Sequence, residues 1–240
     1  MNTLGRKIMR IGLALLAVAA VLAIVYRVHP DAAMTVTGKK TVADRLAEYG
    51  VAARNRLEPD FRSLGIAYPP KALILVGLKQ EKFLEAWASA DGSSFKLLKK
   101  YPIRAMSGKS GPKLMQGDMQ APEGLYMIES LNPNSLYHLS LRLNYPNDFD
   151  RRMAAVDGRA NLGGDIMIHG EAVSIGCLAI GNEPVEELFV LAADMGEKNI
   201  KVIMTPVDFR IRQLPADAPP APAWTNDLYA AIRASLEPLK

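Results

Sequence analysis

The sequence feature that most constrains the fold is a pair of short apolar runs, residues 165–168 and 177–180, on either side of a turn that contains glycine. Short runs that are rich in β-branched and apolar residues and bounded by glycine are typical of β-strands. The pattern therefore predicts that the two runs pair as a hairpin with its turn near Val173, in a chain that is mostly β.

This hairpin would bring the only cysteine of the chain close to one of its three histidines. Cys177 and His169 fall on opposite strands, where directly opposed residues have Cβ atoms about 4.5–5.5 Å apart. An imidazole at that distance can take the proton of a thiol, which gives a nucleophile and its base. Gly170 and Gly176 leave room for a substrate and for backbone N–H groups that face a developing oxyanion, and Ser174 is expected to support the turn or the imidazole.

These residues resemble the signature of the YkuD-type L,D-transpeptidases, in which His-Gly is followed by Ser-His-Gly-Cys and then by Arg or Asn. His169-Gly170 and the run from Ser174 to Cys177 match it, with Ile175 in place of the second His and Ala179 in place of the Arg or Asn. The spacing between His and Cys is also shorter than in most of that family. The shortened form looks like the YafK branch, and the resemblance covers roughly residues 71–209.

The resemblance implies a fold, a substrate and a reaction. The fold would be mostly β, a β-sandwich or mixed barrel-like L,D-transpeptidase catalytic domain with a few peripheral α-helices. The substrate would be the stem peptides of peptidoglycan, which the wider family cross-links 3→3 through a thioester on a meso-diaminopimelate-containing tetrapeptide. The YafK branch implies hydrolysis instead, which releases a lipoprotein attached through its terminal lysine. The residue at Ala179 and the short spacing favour this branch, and no cofactor is implied.

Three further residues are candidates for substrate binding. Tyr137 and His138 lie on a predicted strand at residues 136–143, where His138 is alternatively a rival base or a half-buried structural residue. Arg159 lies in a predicted long loop at residues 144–164. A guanidinium matches a carboxylate bidentately, so an arginine of this loop is either a carboxylate ligand or part of the solvated surface.

The N-terminus predicts export. Residues 11–26 form an uninterrupted apolar run with three basic residues before it and Arg27 after it. Sixteen residues are slightly short of the ~17–20 that span a membrane, and candidate cleavage sites fit poorly. We therefore expect an uncleaved inner-membrane anchor ahead of a periplasmic body, with a cleaved export signal as the alternative.

The net charge of +4 belongs to this N-terminal segment. Four of the 29 Lys and Arg residues lie in the first 30 residues, which contain no Asp or Glu, so the rest of the chain is formally neutral. A nucleic-acid-binding domain would need a basic face. The composition therefore gives no indication of a nucleic-acid partner.

The chain divides into four predicted regions: the anchor (1–30), a linker with an amphipathic helix (31–70), the catalytic domain (71–212), and a Pro/Ala linker with a terminal helix (213–240). Strands are predicted over residues 72–78, 82–89, 95–103, 125–130, 136–143 and 200–207. Helices are predicted over residues 41–57, ending before Pro59, over residues 182–195 with Asn182 as N-cap, and over residues 225–236.

Two other classes of function remain open from the sequence. A wall-binding module could keep this fold with a silent Cys177, since a free cysteine is often simply a small buried hydrophobe. A redox or metal protein is the other class. A zinc site formed by His138, His169 and Cys177 would lack the paired ligand spacings of such sites, so no metal is expected.

Overall fold

The computed structural model describes residues 38–239. Contacts within the chain separate residues 1–40 from a second unit, residues 41–240, and only this second unit is described further. The predicted anchor at residues 1–30 lies outside the described residues. None of the helices between residues 38 and 239 is long and apolar enough to cross a membrane.

Eight strands form one mixed sheet: β1 (Ala72–Leu78), β2 (Phe83–Ser89), β3 (Lys96–Pro102), β4 (Gly124–Asn132), β5 (Ser140–Leu143), β6 (Met167–His169), β7 (Leu178–Ala179) and β8 (Ile200–Thr205). Their order across the sheet is β3-β2-β1-β8-β4-β5-β6-β7. β8 runs parallel to β1 and antiparallel to β4, so the last strand joins the two halves of the sheet. The expected mostly β architecture with peripheral helices is confirmed.

The described part of the chain has four α-helices: α1 (Val42–Leu64), α2 (Asp148–Val156), α3 (Asn182–Met195) and α4 (Thr225–Leu236). Along β1, Leu75 faces the main core under α1 and α3, whereas Val76 faces a second core under α4. Both residues are fully buried, and burial of such a side chain stabilises the fold by about 1.5–3 kcal/mol. The helices therefore cover both faces of this half of the sheet.

The predicted end of the first helix before Pro59 is wrong, because α1 continues through Pro59 to Leu64. Proline in a helix interior removes one backbone hydrogen bond and costs about 3 kcal/mol. Leu57 and Phe61 lie on either side of Pro59 and are 0% and 2% exposed. Their burial in the main core offsets that cost.

The predicted long loop at residues 144–164 is also wrong in part, because residues 148–156 form α2. The Asn147 side chain accepts the Asp150 N–H at 3.1 Å, and the Asp150 carboxylate accepts the Asn147 N–H at 2.9 Å. This reciprocal capping box fixes the start of the helix.

The predicted strand at residues 136–143 begins only at Ser140. His138 has a φ of 72°, in the left-handed region that non-glycine residues rarely adopt. The chain therefore turns at His138 before it enters β5, and His138 does not lie on a strand.

The predicted hairpin is wrong as well, because β6 and β7 pair in parallel. The Ile180 N–H donates to the His169 carbonyl at 2.9 Å, and the outer edge of β7 pairs with Ala105. These bonds hold the chain after Cys177 in the direction of β6. Residues 170–177 therefore return the chain to the start of β6 instead of forming a tight turn.

Candidate active site

Three fully buried residues define the inner face of β5, β6 and β7. Leu141, Ile168 and Leu178 point from these strands into the main core. Because side chains alternate along a strand, their neighbours point to the opposite face of the sheet. This outer face carries the residues from which the sequence predicts chemistry.

The strand register places His169 and Cys177 on the outer face as diagonal neighbours. Ser140 lies opposite His169, and Arg142 lies opposite Met167. The parallel register of β6 and β7, continued by one residue, puts Cys177 opposite Met167 as well. Diagonal neighbours in a sheet have Cβ atoms roughly 7–8 Å apart. The two residues are therefore near each other, although not directly opposed as the hairpin would place them.

Cys177 is half-buried, and its Sγ donates to the carbonyl oxygen of Asp165 at 3.5 Å. Burial raises the pKa of the thiol, and the Asp165 carboxylate raises it further. A backbone hydrogen bond from Met167 and the positive charge of Lys113 lower the pKa, but they do not outweigh burial. The resting residue is therefore a protonated thiol.

His169 is 2% exposed and lies under the ring of Tyr137, with ring centroids 4.7 Å apart. Its Nδ1 lies 2.7 Å from the carbonyl oxygen of Gly170. A carbonyl oxygen can only accept, so the geometry assigns the proton to Nδ1 and leaves Nε2 with a free lone pair. Burial lowers the pKa of the imidazole, and the bond to Gly170 only partly opposes this. The neutral form of His169 is therefore favoured.

No hydrogen bond joins Sγ of Cys177 to the His169 ring within residues 38–239. Catalytic hydrogen bonds are often long in structures without substrate and tighten when the substrate binds. The resting arrangement is a neutral thiol beside a neutral imidazole that can accept a proton at Nε2.

The turn between the two residues depends on glycine. A Cβ at Gly170 would lie 2.8 Å from the carbonyl oxygen of Tyr137, and Gly176 has a φ of 124°. The Ser174 hydroxyl donates to the carbonyl of Cys177 at 2.7 Å and closes the turn. In the turns and loops of the described residues, neither Gly176 nor Cys177 donates its backbone N–H to a partner. Neither N–H group is therefore committed to another loop residue, and Gly176 is buried whereas Cys177 is half-buried.

Asn182, the predicted N-cap of α3, has another role in the structure. Gly181 occupies the N-cap position without a side-chain hydrogen bond. The side-chain oxygen of Asn182 accepts the Glu171 N–H at 2.8 Å instead. Asn182 therefore ties the turn before Cys177 to the start of α3.

The predicted substrate residues are dispersed. Tyr137 covers His169 and is 40% exposed. His138 points towards the helices, where its Nε2 lies 2.9 Å from Glu186. Arg159 contacts Asp157 at 2.8 Å and donates to the carbonyl of Leu114, in the loop at residues 107–120. Of the three, only Tyr137 contacts His169, and the substrate roles stay predictions.

Sequence reasoning did not identify Arg142 and Asp165 as neighbours of the thiol. The Asp165 carboxylate binds Nη1 of Arg142, while its carbonyl accepts from Cys177. Alternation in Ser140–Leu143 does place Arg142 on a polar face, but only the strand order places that face beside Cys177.

The loop at residues 107–120 also borders the site. The carbonyl oxygen of Gln120 lies 3.4 Å from the position of a Cβ on Gly176, and Lys113 influences the thiol electrostatically. In residues 38–239, no group of three or more His, Cys, Asp or Glu side chains is arranged to hold a metal ion.

The sequence is 35% identical over 133 residues to "Putative L,D-transpeptidase YafK" of Escherichia coli, in both strain K12 and strain O157:H7. The match covers 53% of this chain and 51% of each relative, so the chain spans about half the length of the curated relatives that it matches. No family model matches the sequence.

Two solved structures are similar at lower identity. The helical cell shape determining protein Pgp2 from Campylobacter jejuni has a TM-score of 0.47 at 23% identity, over 59% of this chain and 50% of that chain. Bd1075 of Bdellovibrio bacteriovorus has a TM-score of 0.42 at 17% identity, over 72% and 57%. Because both TM-scores lie below 0.5, the similarity to YafK stands on the sequence match alone.

Proposed function

We propose that this chain is a cysteine acyl-transfer enzyme that cleaves amide bonds of peptidoglycan stem peptides, with Cys177 as nucleophile and His169 as base. The observation that carries the proposal is the placement of a half-buried thiol and a neutral imidazole on one sheet face. The sequence relationship to a protein named as an L,D-transpeptidase supports the choice of substrate.

The first step moves the thiol proton to Nε2 of His169 as Sγ attacks the amide carbonyl. Gly170 holds the other ring nitrogen, so the imidazole presents its lone pair without a change of tautomer. The tetrahedral oxyanion would accept hydrogen bonds from the N–H groups of Gly176 and Cys177, which have no other partner in the described loops. Collapse of this intermediate breaks the C–N bond, and the amine leaves with the proton from Nε2.

The second step resolves the thioester. Either an amine of a second stem peptide or water attacks the thioester carbonyl, His169 takes the proton of the attacking group, and the thiol is regenerated. Ala179 stands on the outer face where a larger Arg or Asn is usual in the cross-linking enzymes. We therefore favour water and the release of a lipoprotein attached through its terminal lysine.

This substrate lies outside the cytoplasm, so the proposal includes export. Residues 1–30 would anchor the chain in the inner membrane, and residues 71–212 would act as the catalytic domain in the periplasm. The positive residues around the apolar run at residues 11–26 support this orientation.

A silent wall-binding module is the second candidate, and one observation favours it. The pKa of the Cys177 thiol is raised, and no hydrogen bond to the imidazole lowers it at rest. A module without catalysis would bind stem peptides equally well with or without the thiol, whereas an enzyme needs it.

The test is to incubate the full-length chain with purified peptidoglycan sacculi and analyse the digested muropeptides by mass spectrometry. Cys177→Ala and His169→Gln are the matched variants, and each is expected to lower the rate more than roughly 1,000-fold. New 3→3 dimers would indicate cross-linking, whereas loss of lysine-bearing stem peptides without new dimers would indicate hydrolysis. Identical profiles for wild type and Cys177→Ala would refute the enzyme and favour the silent module.

A further inference from the structure

Arg142 lies on the same sheet face as Cys177, two strands away from it. Arg142 is opposite Met167 in the pairing of β5 with β6, and the continued register of β6 and β7 puts Cys177 on the other side of Met167. Adjacent strands are about 4.8 Å apart, so the Cα atoms of Arg142 and Cys177 are separated by roughly 10 Å.

Asp165 connects the arginine to the thiol. Its carbonyl oxygen accepts from Sγ of Cys177 at 3.5 Å, and its carboxylate binds Nη1 of Arg142. One residue therefore binds the guanidinium through its carboxylate and the thiol through its backbone carbonyl.

This carboxylate can be exchanged for that of a ligand. The side chains of Arg142 and Asp165 are 37% and 73% exposed, and exposed ion pairs contribute little to stability. Glu129 binds Nε of Arg142 at 3.0 Å and is also more than half exposed. Nη2 donates no hydrogen bond within residues 38–239, so the guanidinium keeps a free donor on its outer edge.

We infer that Arg142 is a specificity-determining residue of the proposed reaction: its guanidinium binds a free carboxylate of the substrate in place of Asp165. A guanidinium fork binds a carboxylate bidentately, which fixes both the distance and the orientation of the ligand. The inference rests on the proposed function, because the distance that it sets is the distance to the carbonyl attacked by Cys177.

A diaminopimelate residue meets this distance. Its two carboxyl carbons are joined by six single bonds of about 1.5 Å, so they lie about 7–8 Å apart when the chain is extended. With the scissile carbonyl at Cys177, the free carboxylate therefore falls within reach of a side chain that starts roughly 10 Å away. With a substrate that lacks this carboxylate, the ion pair between Arg142 and Asp165 would stay intact.

Two tetrapeptides test the inference: L-Ala-γ-D-Glu-meso-diaminopimelyl-D-Ala and the same peptide with the free diaminopimelate carboxyl amidated. For the full-length wild type, we expect kcat/KM to be about 10- to 100-fold higher with the free carboxylate, mostly through KM, because charged hydrogen bonds of this kind discriminate by that amount. Arg142→Gln is expected to abolish the preference, and Arg142→Lys to restore part of it. Equal preference in wild type and Arg142→Gln would overturn the inference.

Two further variants separate Arg142 from its surroundings. Glu129→Ala removes the acceptor of Nε of Arg142 and is expected to lower KM only for the peptide with the free diaminopimelate carboxylate. It does so without the change in thiol environment that a substitution at Asp165 would cause. Arg104→Gln removes another exposed arginine, near Gly181, and is expected to keep the preference. If Arg104→Gln loses the preference and Arg142→Gln keeps it, Arg104 binds the substrate carboxylate and the inference is refuted.

Binding by Cys177→Ala distinguishes failure of the inference from failure of the proposed function. Isothermal titration of this variant with both peptides is expected to show at least tenfold tighter binding of the free carboxylate, which the added Arg142→Gln substitution removes. If wild type turns over neither these two peptides nor stem peptides that carry the terminal lysine of a lipoprotein, the proposed function fails, while the titration still supports or refutes the role of Arg142. If the titration shows no preference, the inference fails even when wild type is active.

Discussion

The two ends of the sheet are built differently. β1 and β2 have seven residues each and pair along their full length, and β8 adds six pairs to β1. β6 and β7, which carry the candidate site, have three residues and two residues and share only two pairs. The scaffold end is therefore held by long ladders and apolar burial, whereas the site end needs other anchors.

Those anchors are polar side chains that bond to loop backbone. Lys79, at the end of β1, donates to the carbonyls of Gly111 and Ala121 and to Glu123 at 2.8 Å. Glu123 also accepts the Gly111 N–H and the Tyr229 hydroxyl. The buried pair Lys79–Glu123 thereby connects the scaffold to the 107–120 loop that borders Cys177.

The largest effect is expected from Glu123→Gln, which removes the negative partner of this pair. The Lys79 and Glu123 side chains are 4% and 0% exposed, and breaking a buried ion pair typically costs about 3–5 kcal/mol. Burial already lowers the pKa of Lys79, and Glu123 opposes that shift, so the variant is expected to lower the pKa of Lys79 further. The free energy of unfolding from urea titration at pH 7 measures the cost.

Glu58→Gln is the matched control, because it breaks an exposed pair with Arg62 by the same chemical change. Exposed pairs contribute little, so this variant should unfold at nearly the same urea concentration as wild type. Equal destabilisation by Glu123→Gln and Glu58→Gln would show that the buried pair does not anchor the loop.

Glycine-to-alanine substitutions at the two ends of the sheet give the next largest contrast. At Gly170 the new methyl group would lie 2.8 Å from a backbone carbonyl, which cannot move freely, so we expect a cost of about 1–3 kcal/mol. At Gly77 in β1 the methyl group would meet Sδ of Met204 at 2.5 Å, and this flexible side chain can shift. Urea titration should therefore show Gly170→Ala to be the less stable variant, and the reverse order would contradict the contrast.

The same contrast explains how much of the fold the sequence predicts. The bounds of β1 and α4 are predicted correctly, because their apolar spacing reports burial directly. The direction of β7 is not predicted, since an apolar run is equally compatible with parallel and antiparallel pairing. It depends on bonds to residue 105, more than 70 positions away in the sequence.

The candidate site is predicted in its local part only. His169 and Cys177 are eight positions apart, so almost any compact turn brings them close, and this proximity survives the wrong hairpin. Arg142 reaches the same face through the strand order β5-β6-β7, which no local pattern encodes. At two other places the structure overrides a sequence signal for a loop. Burial of the neighbouring side chains keeps Pro59 inside a helix, and a capping box at Asn147 starts a helix within the predicted loop.

Asp118→Asn is expected to have a smaller effect that depends on pH. Burial raises the pKa of Asp118, but hydrogen bonds from Lys113 and from three backbone N–H groups outweigh burial and lower it overall. A carboxyl group with a lowered folded pKa stabilises the protein fully above its unfolded pKa of about 3.9 and loses this contribution as the pH falls through the folded value.

We therefore expect Asp118→Asn to be about 1–2 kcal/mol less stable than wild type at pH 7, with the difference disappearing in strongly acidic solution. Urea titrations at pH 7, 5 and 3 measure this dependence. A difference that is independent of pH would assign the effect to packing instead of charge.

The smallest expected effect is on the pH dependence of thiol labelling, which is compared between Cys177 in the folded protein and the same cysteine in the unfolded chain. The chain has one cysteine, so the rate of labelling by iodoacetamide reports Cys177 alone. Because burial raises the pKa of this thiol, the labelling rate of the folded protein should rise at a higher pH than that of the urea-unfolded chain. His169→Gln should leave this profile nearly unchanged, since a neutral imidazole does not stabilise a thiolate at rest. Rapid labelling of wild type at pH 5 that His169→Gln abolishes would instead indicate a thiolate–imidazolium pair, and the site end of the sheet would then be charged before any substrate binds.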